Sequence, residues 1–307
     1  MSPDDFKDSA TQDVSKTLLI GVAGATGSGK TESGIRIGLG IAKAEGGELF
    51  VIDTENKRAL NKKNRYRFRH MDMHAPYSPE RYQEAIETAI QAGAKAIFLD
   101  SFSHEWDGDG GLSEDAATIL ERMSKGDAQR AERLTMLSWK EPKLRHKRLM
   151  SFLRKCDVPI IFGLRAEPKV KFQKDERGKQ QIVDAGWLPI AEKMFGFDML
   201  IYALMMPENP GVPVHLKKLE PEFEPFFPIG QQITEECGIA LSEWARPKIV
   251  ATLAEALVAI GNITPFDPST RSRAIDICNR LTDDTDIREA KQAMKAKIAA
   301  VREGRDG

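Results

Sequence analysis

Gly24-Ala25-Thr26-Gly27-Ser28-Gly29-Lys30-Thr31 is the stretch on which the reading of this chain turns. It matches the pattern G-x-x-x-x-G-K-[ST] at every fixed position. On its N-terminal side, Thr17-Leu-Leu-Ile-Gly-Val-Ala23 is apolar and β-prone, as a strand buried on both faces should be. On its C-terminal side, Ile35, Ile37, Leu39 and Ile41 recur among small residues, and a helix is expected from Lys30 to Ala44. A loop of this pattern between a strand and a helix is the context in which it cradles phosphate. The competing reading, a glycine-rich strand–helix turn with no ligand, is disfavoured because pattern and context agree.

The residue types explain the chemistry. Gly24, Gly27 and Gly29 allow positive φ and close approach of the backbone to a ligand. Successive N–H groups then converge at a helix N-terminus, where the dipole favours an anion. Lys30 reaches toward β- and γ-phosphates, and the Thr31 hydroxyl suits Mg²⁺. The candidate ATP-binding set is therefore Gly24, Ala25, Thr26, Gly27, Ser28, Gly29, Lys30, Thr31 and Glu32.

Composition sets bounds on the rest. With 307 residues, 41% hydrophobic and 30% charged, the chain has the make-up of a globular protein. A net charge of −1 means that nucleic-acid contact has to come from local patches. Cys156, Cys237 and Cys278 are far apart and form no C-x-x-C, against a disulfide framework or a zinc site. No apolar run reaches membrane-spanning length, and the acidic, polar start is unlike a signal peptide, so a cytoplasmic location without membrane contact is expected.

Alternating signals continue along the chain. Strands are expected at 48–53, 66–73, 95–100, 158–164, 199–205 and 212–219. Helices are expected at 78–92, 113–125 and 142–155, and a hairpin or flexible loop lies between Lys169 and Asp184. This order predicts an α/β fold with a mainly parallel sheet flanked by helices. Residues 1–15 read as a loose tail, 16–228 as the core, and 229–307 as a helical extension.

Two acidic strand ends complete the candidate site. Ala96-Ile-Phe-Leu-Asp100 has the form of a Walker B strand, whose carboxylate holds the Mg²⁺ shell together with Thr31. Val51-Ile-Asp53-Thr54-Glu55 brings a second carboxylate to a strand end, where it can reach an attacking water. Glu55 is favoured as the base over Glu105; Ser101 directly follows Asp100, so no adjacent Asp-Glu pair exists. Three basic runs stand out: Lys57–Arg69, Lys143–Lys155 and Lys169–Lys179. Each reads as a solvated face when taken alone.

Gly24–Thr31, Phe50-Val-Ile-Asp-Thr-Glu55, Phe98-Leu-Asp100-Ser101 and Pro159-Ile-Ile-Phe162 followed by Arg165 occur in one order. Over roughly residues 15–220 the chain thereby resembles the RecA/RadA recombinases, above all the short phage-encoded RecA-like ATPases that accompany single-strand annealing and replication. The resemblance implies a RecA-like core, Mg²⁺-dependent ATP hydrolysis, and Glu55 as the base that activates water. It places Arg165 where the family usually carries a glutamine γ-phosphate sensor, a departure from the pattern. The second DNA-binding loop falls on Lys169, Lys171, Lys174, Arg177 and Lys179. Lys217-Lys218 falls where family members reach a neighbouring subunit's ATP. The implied partners are single-stranded DNA, further copies in a filament or ring, and an annealing or single-strand-binding protein. Two other readings fit the same motifs: a nucleotide-switched interaction protein, such as a helicase loader or packaging accessory, and a small-molecule P-loop kinase.

Overall fold

A computed structural model describes residues 18–174, 180–217, 219–228 and 230–245. These lie within a single unit, Val14–Arg246. The expected N-terminal tail, Arg177, Lys179, Lys218, Cys278 and the extension beyond residue 245 fall outside the described residues, as do the side chains of Lys171 and Lys174.

The sheet is built from strands whose residues alternate between two cores. In β1 (Leu19–Gly24) every residue is buried; Leu19 and Ala23 join one apolar cluster, Ile20 and Val22 the other. That alternation is what a strand covered on both faces requires. Helices α2 (Pro79–Gln91) and α6 (Lys140–Leu153) supply Tyr82, Ile86, Leu149 and Leu153 to the first cluster. Helices α1 (Lys30–Ala44) and α7 (Glu235–Ala245) supply Ile35, Ile37, Ile41 and Leu241 to the second.

The remaining strands are β2 (Leu49–Asp53), β3 (Arg69–Asp72), β4 (Ala96–Asp100), β5 (Ile160–Lys174), β6 (Gln180–Pro189), β7 (Ile201–Met205) and β8 (Pro213–His215). Among the described residues they run in the order β3-β2-β4-β5-β1-β7-β8, with β6 paired to β5. Five neighbouring pairs are parallel, while β5–β6 and β7–β8 are antiparallel. The chain is thus a mixed α/β structure with a mostly parallel central sheet flanked by helices. Between β4 and β5 lie α3 (Ser103–Asp107), α4 (Leu112–Ser124) and α5 (Ala128–Ser138), followed by α6.

Helix α5 departs from expectation. Its sequence is largely polar and buries little beyond Ser138, so its periodicity is weak. Its start is nevertheless marked by Asp127, whose side chain accepts from the Arg130 N–H at 3.0 Å. The strand expected at 158–164 and the first arm of the hairpin form one continuous strand, β5. The strand expected from Tyr66 begins only at Arg69, because Tyr66 and Phe68 pack sideways against the second cluster.

Helices α1 and α7 pack backbone to backbone at Gly40 and Gly238. A Cβ added at Gly40 would come within 2.0 Å of the Glu235 carbonyl oxygen, which backbone cannot readily vacate. In an ordinary helix interior Gly→Ala stabilises by about 0.5–1 kcal/mol. At Gly40 the overpacking term, about 1–3 kcal/mol, opposes and exceeds it. Gly40→Ala is therefore expected to lower the thermal midpoint by several degrees. A midpoint equal to or above the parent's would contradict this packing.

Candidate functional site

The parallel register brings four strand ends into a row. Gly24 of β1 lies beside Arg165 of β5, Gly163 of β5 beside Asp100 of β4, and Asp100 beside Asp53 of β2. Ligands of open α/β sheets bind at such carboxyl ends. From Gly24 the loop passes through Gly27 at φ 83° and Gly29 at φ 85°, left-handed values that glycine adopts without strain. Gly29 is the N-cap of α1 and offers no side chain to its first turn, so those N–H groups stay available to a ligand.

Lys30 is only 6% exposed, and among the described residues no carboxylate lies within ion-pair distance of it. Next to it, the Thr31 hydroxyl donates to Asp100 Oδ2 at 2.7 Å. The other carboxylate oxygen, Asp100 Oδ1, is buried without a hydrogen-bond partner. Burial pushes the Asp100 carboxyl above its ordinary range, and Lys30 and Thr31 offset only part of that. A hydroxyl beside an unsatisfied carboxylate oxygen is a donor set for a hard divalent cation that takes its remaining ligands from phosphates and water. The residues therefore fit Mg²⁺. A cleft of about 420 Å³ opens over the loop, lined by Gly27–Glu32 on one side and Arg58, Asn61 and Lys62 on the other.

Glu55 is held at the same end of the sheet. Asp53, fully buried, accepts from the Glu55 N–H at 2.7 Å through Oδ1 and from the Ala59 N–H at 2.8 Å through Oδ2. These two bonds fix the turn that follows β2. The Glu55 side chain is 4% exposed, with Arg165 Nε 3.0 Å from Oε1 and Arg58 Nη1 2.8 Å from Oε2. Burial raises its carboxyl, but Lys30 and Arg165 outweigh burial and hold it below the usual range.

A set of hydroxyls fastens these strand ends to one another. Thr54 Oγ1 accepts from the Ser101 N–H at 2.9 Å and lies 2.7 Å from His104 Nδ1. Ser103 Oγ donates to the Ile190 carbonyl at 2.7 Å and accepts from the Arg165 N–H at 2.9 Å. His104 stacks on Tyr77, ring centroids 4.9 Å apart, and burial together with Arg165 keeps its pKa below the ordinary value. Sequence reasoning missed Asp53, Thr54, Ser101 and Ser103 as positioning groups. The available signal was the density of hydroxyls immediately flanking Glu55 and Asp100.

Glu105 turns away from this row. It is 1% exposed, and its carboxylate lies 2.9 Å from His146 Nδ1 on α6. Burial alone would lower His146; the Glu105 carboxylate reverses that and raises it.

The first basic run is mostly paired, and the other two in part. Arg58 lies on Glu55, Lys57 on Asp72, Lys62 and Arg65 on Glu32, and Arg69 on Glu48. On α6, Arg145 pairs with Glu80 and Asp115, while Arg154 pairs with Asp198. Lys169 pairs with Glu167, four residues beyond Arg165 on the same strand. Val170 and Phe172 of that strand are 64% and 70% exposed. Lys217 donates to the Met199 carbonyl at 3.1 Å. His70 lies on Asp53 and His74 on Asp72. No helix among the described residues is long and apolar enough to cross a membrane.

Comparison with models of protein families gave no match, and no curated protein matches the chain by sequence. The architecture, a mostly parallel α/β sheet, is compatible with a P-loop NTPase.

Glu32, in the first turn of α1, gathers Arg36, Lys62, Arg65 and the Tyr66 hydroxyl, the last at 2.9 Å. Burial alone would raise its carboxyl; the surrounding donors, Lys62 foremost, bring it from 4.5 down to about 2. A folded-state pKa below the unfolded one gives stability that is present above pH 4.5 and fades as pH falls toward 2. Glu32→Gln should therefore flatten that part of the stability–pH curve measured by urea unfolding. An unchanged acid limb would show that this cluster does not carry the dependence.

Proposed function

We propose that this protein binds Mg²⁺·ATP in the cleft over Gly24–Thr31 and hydrolyses it, as a RecA-like ATPase whose output is exerted on single-stranded DNA. The observation that carries the reading is Lys30, a nearly buried ammonium with no carboxylate partner among the described residues, set beside the Thr31–Asp100 couple at the N-terminus of α1. A buried charge without a partner is expensive, and a triphosphate is the partner this geometry fits.

The roles follow from the residues. The first-turn N–H groups and Lys30 bind and orient the phosphates. Thr31 and Asp100 would hold Mg²⁺, which neutralises charge on the transferring group. Glu55 takes the proton of the attacking water, and its neighbouring cations keep it ionised. Arg165 stands at the sheet end, outside the residues that line the cleft, and would sense the charge of the terminal phosphate through space rather than by contact. Because β5 carries Arg165 and Lys169 in one unbroken strand, a shift at the phosphate reaches the hairpin without a relay. A second reading, a nucleotide-switched protein that docks on another protein, draws on exposed Val170 and Phe172. Phe172 serves equally well as a platform for stacked bases.

Lys30→Ala is expected to abolish tight nucleotide binding, whereas Glu55→Gln should keep binding while turnover falls by about 10²–10⁴. Equilibrium titration and a phosphate-release assay read the two effects. If Glu105→Gln loses turnover and Glu55→Gln does not, the base is misassigned.

Replacing Lys169, Lys171 and Lys174 with alanine should weaken single-stranded DNA binding irrespective of sequence. It should also reduce the salt slope by about 0.7 for each DNA phosphate no longer neutralised, while ATP affinity without DNA holds. Wild-type DNA affinity and slope in the triple variant would favour the protein-docking reading.

A further inference from the structure

Glu55 is bound on both oxygens. Arg165 Nε reaches Oε1 at 3.0 Å and Arg58 Nη1 reaches Oε2 at 2.8 Å, which leaves the side chain 4% exposed. Each bond takes one lone pair of its oxygen, and with the side chain this buried a withdrawing guanidinium opens the carboxylate further to water. The two arginines are placed differently. Arg165 has its backbone N–H fixed by Ser103 Oγ and does not line the cleft. Arg58 does line it, together with Lys30 and Thr31; the two arginine side chains are equally exposed, at 45%, so it is position on the cleft that separates them. Arg58 opens the 3₁₀ turn Arg58–Lys62, whose backbone Asp53 grips through the Ala59 N–H. Its guanidinium can therefore move while its base stays fixed.

We infer that Arg58 is a γ-phosphate-binding residue supplied by the chain itself, which masks Glu55 until a nucleoside triphosphate takes it. This rests on the nucleotide reading above. In the free protein Arg58 holds Glu55 Oε2. A terminal phosphoryl group carries more charge than a carboxylate and accepts the planar guanidinium fork in the same bidentate way. When it enters the cleft, Arg58 turns to it and Oε2 becomes open to water. A diphosphate lacks the group that competes, so the Arg58–Glu55 pair re-forms once hydrolysis has removed it. Binding of the correct substrate thus both adds a cation at the transferring group and unmasks the base. The first of the basic runs acquires a purpose unrelated to DNA: one of its cations guards the site.

The test compares affinities for a non-hydrolysable ATP analogue and for ADP, both with Mg²⁺, in the parent, Arg58→Ala, Arg58→Lys and Lys30→Ala. Arg58→Ala is expected to weaken the analogue by about ten- to a hundredfold, the scale of one charge-assisted hydrogen bond, and to leave ADP affinity within about twofold. Arg58→Lys should restore part of the difference, and kcat should fall in Arg58→Ala. Equal losses for both nucleotides would overturn the assignment. So would unchanged analogue affinity with a raised kcat, because Arg58 would then only mask the base. If Arg58→Ala melts early, Arg58→Gln, which retains a hydrogen bond to Glu55, carries the same comparison. Failure of the parent to bind either nucleotide, or Lys30→Ala binding as the parent does, would instead remove the nucleotide reading and this inference with it.

Discussion

Charge packed at the end of the sheet is the constraint on which the structure depends. Lys30, Asp53, Asp100 and Glu55 are all withdrawn from water, and Arg165 joins them at the rim. Such groups are tolerated only where each has a partner or a waiting one. Asp53 satisfies itself with two backbone N–H groups, and Glu55 with two guanidiniums. Among the described residues Lys30 and Asp100 Oδ1 are left, the first lining the cleft and the second beside Gly163. The imbalance is local, and it is the reason for proposing that this sheet end is a site rather than a core.

Holding those groups in place takes the rest of the local architecture. Insertion of β5 between β1 and β4 brings Arg165 into register with Gly24 and sets Gly163 against Asp100. A Cβ at Gly163 would come within 2.9 Å of Asp100 Oδ1, so the bare position preserves the space beside that oxygen. Thr54, Ser101 and Ser103 then tie three strand ends together through short side chains with little rotamer freedom to lose. The hydroxyls act as rigid spacers, and the ionisable groups they position need not fix themselves.

The sequence made the loop, its flanking strand and helix, and the acidic strand ends legible, because each depends on local pattern: glycine spacing, apolar runs, a carboxylate at a strand terminus. The two-sided burial of β1 could be read the same way. What could not be read was pairing at a distance. Arg58, Lys62, Arg65 and Arg69 look like one basic patch in sequence, yet they meet different parts of the fold, on Glu55, Glu32 and Glu48. Glu105 sits as close to Asp100 in sequence as a base needs, but the helical turn after β4 aims it at His146. Asp53, which shapes the turn carrying Glu55, was overshadowed by its neighbour, since a carboxylate that accepts backbone N–H groups leaves no mark in composition.

The central claim is that Lys30, Thr31 and Asp100 form one phosphate-and-magnesium site. Calorimetric titration of the parent protein with a non-hydrolysable ATP analogue, with and without Mg²⁺, tests it directly. Saturable one-to-one binding that tightens when Mg²⁺ is present is the predicted result. Absence of binding, or an affinity indifferent to Mg²⁺, would contradict it.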